Sequence, residues 1–239
     1  MRIAMWSGPR NLSTAMMYAF GQRADCAVSD EPFYAAYLSA TGIDHPMREA
    51  VLSAGETDPR RVAQACLGNV PDGRALWYQK HMAHHMVPDF PLDWMSHVKN
   101  VFLIRHPARV VASYARKRED VELSDLGFAE QVALYERLSS SGMAPTVIDS
   151  AAVRAAPEAA LRALCERLGI RFDPAMLSWR AGGHAADGIW AAHWYGAVHR
   201  STGFEGPEGP LPVLEGAYEA LALAAQPHYD RLAKVALTV

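Results

Sequence analysis

Lysine is scarce in this chain. Among 239 residues it stands only at positions 80, 99, 117 and 234, so arginine supplies most of the positive charge. The net charge of −3 speaks against nucleic acid or an anionic membrane surface as a partner, because both are held by an excess of basic side chains. Any anion site must be local. Cysteine is scarce too: Cys26, Cys66 and Cys165 are far apart and lack both CxxC and metal-ligand spacing, which excludes a disulfide framework and reads as three reduced, buried thiols. Reduced thiols point to the cytoplasm. No window is apolar for long enough to cross a bilayer, and the first residues lack the basic segment and apolar run of a targeting peptide. Internal repeats and low-complexity tracts are absent. What is present is a chain that is 50% hydrophobic, enough to bury a substantial core, and residues 1–239 are expected to form a single domain.

Short β-rich runs recur at residues 2–6, 26–30, 75–79, 100–104 and 145–149. They are continuously apolar rather than alternating, the pattern of strands buried on both faces of a parallel sheet. Helical signals lie between them. Residues 13–23 follow the loop after the first strand, 58–68 carry apolar positions at helical spacing, and 107–118 open with Pro107 at the first helical position. A further helix is expected between Ser124 as its cap and Gly142 beyond its end, and another from Pro157 to Gly169. Strand and helix in alternation imply an α/β fold of three layers, a mostly parallel sheet flanked by helices, in which ligands bind at the carboxyl ends of the strands. Four polar clusters, SGPRNLST, DEPF, KHMAHH and RHPARVVAS, directly follow strand runs and share that edge. Residues 174–214, dense in glycine, proline and aromatics, read as a long segment folded over it, with a helical element from about 215 that Pro227 interrupts or restarts.

The first cluster has the outline of a phosphate loop. Against the pattern G-x-x-x-x-G-K-[ST] it begins with Gly8, but Ser13 takes the place of the second glycine, Thr14 that of the lysine and Ala15 that of the magnesium-binding hydroxyl. That speaks against ordinary ATP or GTP hydrolysis. Arg10 still offers a rigid fork of donors, Ser13 and Thr14 offer hydroxyls, and the helix start offers its free N–H groups. A plain helix-cap role for Ser13 is the competing reading. Later in the chain Arg105 closes the fourth strand run, and Ser113 follows eight positions on inside the next helix. A second anion fits between those two.

Taken together, the two stretches resemble the sulfotransferase family, which transfers a sulfuryl group from 3′-phosphoadenosine 5′-phosphosulfate (PAPS). In that family a P-loop-like strand-loop-helix, P-R-x-G-[ST]-[ST], holds the 5′-phosphosulfate, and a later strand followed by R-x-P and a serine holds the 3′-phosphate. Pro9, Arg10, Asn11, Ser13 and Thr14 fall on the first motif, with Leu12 in place of its glycine, and Arg105 and Ser113 fall on the second. Arg200, Ser201, Thr202 and Gly203 resemble the family's late cofactor-binding loop. The resemblance implies a P-loop NTPase-like sulfotransferase fold, PAPS as co-substrate, a small-molecule hydroxyl or amine acceptor, and no metal. The chain is also similar to a bacterial stand-alone version of the sulfotransferase-like domain found in some plant aminotransferase-like proteins. Nothing in it points to pyridoxal phosphate.

An acceptor must lose a proton, and the family members that this chain resembles use a glutamate or a histidine to take it. Here those are Glu31 in DEPFY and His81, His84 or His85 in KHMAHHM, with Lys80 beside the histidines to steady the bridging oxygen. Histidine is basic enough at neutral pH, whereas Glu31 needs burial to raise its basicity; Glu31 is preferred. His81, His84 and His85 lie close together, but without a fourth ligand or an H-E-x-x-H pattern no metal site is expected. Trp179, Trp190, Trp194 and Tyr195 either wall an acceptor pocket, stack on adenine, or form core beneath the long segment. Residues 34–57, 82–97 and 180–198 are expected as variable pocket loops. Two further readings stay open: an atypical P-loop kinase or nucleotide hydrolase, and a non-catalytic nucleotide-binding module with the same fold. Homodimerisation is an open expectation.

Overall fold

Strands that are apolar on both faces need cover on both faces, and the chain supplies it. The computed structural model describes residues 1–116 and 121–239. In chain order the elements are β1 (Arg2–Ser7), α1 (Ser13–Gly21), β2 (Cys26–Asp30), α2 (Tyr34–Thr41), α3 (Arg48–Ala54), α4 (Pro59–Cys66), β3 (Leu76–Met82), β4 (Lys99–Ile104), α5 (Pro107–Ala115), α6 (Leu123–Leu126), α7 (Phe128–Ser140), β5 (Thr146–Asp149), α8 (Ser150–Ala155), α9 (Pro157–Leu168), α10 (Ala191–Trp194) and α11 (Gly216–Ala233). The five strands form one sheet in the order β2-β3-β1-β4-β5, and every pairing is parallel. Ile3 and Met5 of β1, with Val101 and Leu103 of β4, share a buried cluster with α1 and α9. Ala4 and Trp6, with Phe102 and Ile104, face the other way and share one with α4, α7 and α11. The central strands β1 and β4 thus bury both faces, and the three layers follow.

The strand ends carry the function. After β1 the chain moves toward the β2 edge, and after β4 toward the β5 edge, while β1 and β4 are hydrogen-bonded neighbours. Their carboxyl ends therefore mark the point where the connections diverge, the crevice in which open α/β sheets bind ligands.

Helix boundaries differ from expectation where a local interaction outweighs the pattern. The helix beginning at Pro107 is described as far as Ala115, and positions 117 and 118 of the expected span lie outside the described residues. The cap before α6 is Glu122 rather than Ser124, in a reciprocal capping box with Asp125. Gly127, at φ 68°, then separates α6 from α7. Pro227 does not interrupt α11, which runs through it. Proline frees the carbonyl four residues earlier, here Leu223; both residues are exposed, so water can satisfy it. The expected loop 34–57 contains two helices, α2 and α3. No helix among the described residues is long and apolar enough to cross a membrane.

On the α4/α7 side of the sheet His81 of β3 lies in the core, stacked on Trp6 with ring centroids 4.6 Å apart and flanked by Trp94 and Phe33. Burial pushes its pKa down to about 3. His85, buried between the rings of Tyr34 and Tyr37, is held well below the ordinary imidazole value, again chiefly by burial. The unfolded chain takes up both protons near pH 6.5 and the folded chain refuses them. Stability is therefore complete above about pH 6.5 and declines as the pH falls, by up to about 1.4 kcal/mol per pH unit for each histidine. Denaturant unfolding between pH 7.5 and 5 checks this, and in His81→Phe the slope should be shallower by close to one proton.

Candidate active site

The loop after β1 turns by placing Arg10 (φ 61°) and Leu12 (φ 70°) in the left-handed region. That conformation costs a non-glycine residue roughly 1–2 kcal/mol, but it is one from which anion-binding nests of backbone N–H groups are built. Leu12 adopts here the backbone shape for which glycine is the usual choice, and its side chain packs against the α1 core. Gly8 is required for a different reason. A Cβ at that position would lie 2.3 Å from the Leu126 carbonyl oxygen, which is backbone and cannot swing aside. Asn11 fastens the loop from within, its Nδ2 donating to the Leu103 carbonyl at 3.1 Å. Gln131 of α7 donates to the same carbonyl and to that of Trp6. Ser13 is not the cap of α1: Leu12 holds that position and makes no side-chain cap, while Ser13 and Thr14 line the cleft beyond.

That cleft has a cavity volume of about 400 Å³ and two chemically distinct ends. At the basic end the two phosphate-type motifs meet. Arg10 Nε donates to Ser113 Oγ at 3.0 Å, and Arg105 Nη1 donates to the Arg10 carbonyl at 2.6 Å. Arg116 and Arg154 line the same end. Burial first, then the neighbouring charges of Arg105 and Arg116, hold the Arg10 guanidinium below its usual pKa. Among the described residues no carboxylate pairs with Arg10, and Arg105 Nε is buried without a hydrogen-bond partner. Crowded like charges and an orphaned donor are the signature of a site shaped for an anion.

The other end is built on one buried ammonium. Lys80 of β3 lies in register opposite Asp30 of β2, and its Nζ donates to Asp30 Oδ1 at 2.8 Å, to Glu31 Oε1 at 2.6 Å and to the Tyr195 hydroxyl. All three ammonium protons are spent inside the cluster. Tyr195 in turn donates to Asp30 at 2.9 Å and accepts from Trp190 Nε1 at 3.1 Å, and the Gly188 N–H donates to Asp30 Oδ2. Burial opposes the charge on Lys80, but the two carboxylates overcome it and hold its pKa above the usual value. One ammonium cannot fully compensate two carboxylates, and burial, only partly offset by Lys80, holds Glu31 above the ordinary carboxylate range. A buried, basic carboxylate at the cleft wall is suited to accepting a proton. Glu31 is itself strained, at φ 42°, just past the end of β2. Tyr34, His45, His84, His85 and Trp194 complete this end.

The structure gathers Arg10, Asn11, Ser13, Thr14, Glu31, Lys80, Arg105, Ser113, Ser201 and Gly203 around the cleft. It places His81 elsewhere: side chains alternate along a strand, so with Lys80 on the cleft face His81 points into the opposite core. Arg200 and Thr202 are exposed and do not line the cleft. Trp194 is a wall of the cleft, Trp190 supports Tyr195, and Trp179 is core, its Nε1 donating to Ser201 Oγ at 3.1 Å. Asp30 and Glu31 do not cap α2, whose cap position is Phe33. Arg154, from an alanine-rich helix without any motif, and Glu205 line the cleft without any local pattern announcing them, whereas Tyr34 and His45 fall in the span 34–57 expected to shape the pocket. Among the described residues no group of three or more His, Cys, Asp or Glu is arranged to hold a metal.

Fold and cleft together place a basic, arginine-lined pocket at the switch point of a parallel α/β sheet. The chain belongs to the sulfotransferase domain family, whose model matches residues 1–236. Among sequence relatives it is similar to branched-chain-amino-acid aminotransferase-like proteins 2 and 1 of Arabidopsis thaliana, with 39% and 40% identity over 206 residues. Those matches cover 86% of this chain but 36% and 37% of the plant proteins, so the chain spans about a third of their length. Among solved structures, the sulfotransferase domain from the curacin biosynthetic pathway superposes with a TM-score of 0.56 at 16% identity, covering 93% of this chain and 96% of that one. The sulfotransferase domain from the Synechococcus PCC 7002 olefin synthase gives 0.54 at 16%, covering 96% and 94%. At that identity the two structures establish the shared P-loop-like fold.

Removing Lys80 leaves two carboxylates buried side by side. Lys80→Met is expected to cost about 3–5 kcal/mol near neutral pH, and less at pH 5, where a proton replaces the lost charge. Urea unfolding of the variant and the wild type at pH 7.5 and pH 5 measures both differences.

Proposed function

We propose that this protein transfers a sulfuryl group from PAPS to a hydroxyl or amine of a small-molecule acceptor. The observation that carries the reading is one cleft in which Arg10, Arg105 and Ser113 meet at a phosphate-type loop while a basic, buried Glu31 stands at the opposite end. The donor set fits a nucleotide with two separate anionic groups. Arg10, Ser13, Thr14 and the α1 N–H groups are assigned to the 5′-phosphosulfate, Arg105 and Ser113 to the 3′-phosphate, and Ser201 and Gly203 to the border of the same site.

In the reaction the acceptor oxygen or nitrogen bonds to sulfur as the bond from sulfur to the bridging phosphate oxygen breaks, leaving 3′,5′-adenosine bisphosphate. Glu31 takes the acceptor's proton. Lys80, with all its protons committed, acts as a positioning residue: it fixes the Glu31 carboxylate and is not free, in this arrangement, to steady the bridging oxygen. Charge developing on the leaving phosphate is met by Arg10 and by the helix N–H groups, which are oriented before the substrate arrives. This division of labour needs no metal.

Titration calorimetry with 3′,5′-adenosine bisphosphate, with ATP and magnesium in a parallel cell, tests the donor assignment. The bisphosphate is expected to bind in preference to ATP, and Arg10→Ala and Arg105→Ala each to weaken it by roughly 1.5–3 kcal/mol, the range of a lost charge-assisted contact. Unchanged affinity in both variants sinks the assignment. Glu31→Gln should leave bisphosphate binding intact and depress turnover in an acceptor screen; full activity in that variant would move the base elsewhere.

A further inference from the structure

Two arginines that line the basic end of the cleft, Arg105 and Arg154, already hold an anion that the chain itself supplies. The Glu208 side chain is 5% exposed and forms ion pairs with three arginines from three different elements: Arg105 at the end of β4, Arg109 of α5 at 3.1 Å and Arg154 of α8 at 3.1 Å. Arg105 is the residue that also grips the phosphate loop, through the Arg10 carbonyl. The carboxylate of Glu208 thus sits on the guanidinium assigned above to the second phosphate of the donor.

The segment that carries Glu208 is fastened to the body chiefly through these contacts. Among the described residues none between 205 and 213 makes a backbone–backbone hydrogen bond, and the carbonyls of Gly206 and Gly209 are instead met by Arg154 and Arg109. A Cβ added at Gly206 or Gly209 would touch nothing, and Val213 is 89% exposed. Among the described residues the charge balance is also incomplete. Around this end Arg10, Arg105, Arg109, Arg116 and Arg154 face two described carboxylates, Glu205 and Glu208. A phosphomonoester dianion carries more charge than one carboxylate and offers Arg a bidentate partner at least as good.

We infer that Glu208 is an intramolecular stand-in for the donor's second phosphate, a tethered carboxylate that closes the arginine cluster until a nucleotide bearing that phosphate displaces it. This rests on the PAPS reading, and it adds a regulatory consequence. A ligand without the second phosphate cannot evict Glu208, so the tether sharpens selection for the doubly phosphorylated nucleotide. Apparent affinity is lowered by the fraction of molecules in which the cluster is open.

The test compares wild type with Glu208→Gln, which keeps the side chain's shape and removes its charge; a thermal melt verifies that the variant is folded. Glu208→Gln is expected to bind 3′,5′-adenosine bisphosphate about tenfold more tightly, with the affinity for adenosine 5′-monophosphate unchanged. Equal or weaker bisphosphate binding in the variant overturns the inference, as does an equal gain for both nucleotides. A third probe, inorganic pyrophosphate, separates this idea from the donor assignment. If neither protein binds the bisphosphate, the PAPS reading falls; a gain in pyrophosphate affinity in Glu208→Gln then upholds the tethered carboxylate, and no gain overturns it as well.

Discussion

The functional half of this molecule depends on the placement of one buried ammonium. Lys80 lies in register with Asp30 across the β2/β3 pair, so the sheet's own hydrogen bonding brings opposite charges together at the strand ends. Neither charge could be buried there alone. Once paired, they recruit Glu31 from the next position and Tyr195 from more than a hundred residues later, and Asp30 accepts from the Gly188 N–H as well. The long segment after α9 is thereby drawn over the sheet edge. A wall of the cleft exists because an ion cluster needed its remaining hydrogen bonds satisfied.

The cleft separates two electrostatic tasks that would interfere if they were mixed. Guanidiniums gather at the β1/β4 ends, the region proposed for the donor's anionic groups, whereas at the Glu31 end the Lys80 ammonium is fully engaged and burial lowers the pKa of the His84 and His85 imidazoles. A free cation beside Glu31 would lower its pKa and weaken it as a base. Committing Lys80 to two carboxylates at once avoids that: the ammonium orients Glu31, yet burial still leaves the carboxylate above its ordinary range.

Much of this was legible in the sequence, and the reasons are specific. The strand runs could be read because double-sided burial leaves continuous apolar segments, and the basic end could be read because Arg10 and Arg105 stand directly after two of them. Strand alternation was there to be read but went unused: Lys80 and His81 were both expected at the site, although neighbours on a strand face opposite ways and only one of them can reach the cleft. What escaped reading was decided by tertiary contact. Arg154 sits in a helix whose composition carries no message; its role appears only when α8 is laid beside the end of β4. Glu208 belongs to a glycine- and proline-rich stretch that reads as loop. Helices α2 and α3 were hidden by treating residues 34–57 as pocket-forming loop, although Tyr34 and His45 within that span do line the cleft. The Gly127 break between α6 and α7 is a backbone event that the surrounding helical pattern masks.

Backbone strain follows the same division between scaffold and site. Among the described residues six that are not glycine have positive φ, and three of them, Arg10, Leu12 and Glu31, lie on the cleft just beyond the ends of β1 and β2. Each is held by contacts that a relaxed backbone would lose. The Arg10 carbonyl accepts from Arg105, the Leu12 carbonyl from the Met16 N–H, and Glu31 both donates to the Lys80 carbonyl and accepts from the Tyr34 N–H. Strain of this kind persists only where the surroundings over-determine the conformation. The core on either side of the sheet supplies that surplus, so the groups proposed to meet an anion and a proton are held in place by the scaffold. This is why an unfavourable leucine can stand where glycine would be easier: the cost is local, and the packing that offsets it belongs to α1, the helix whose N-terminus the loop must aim.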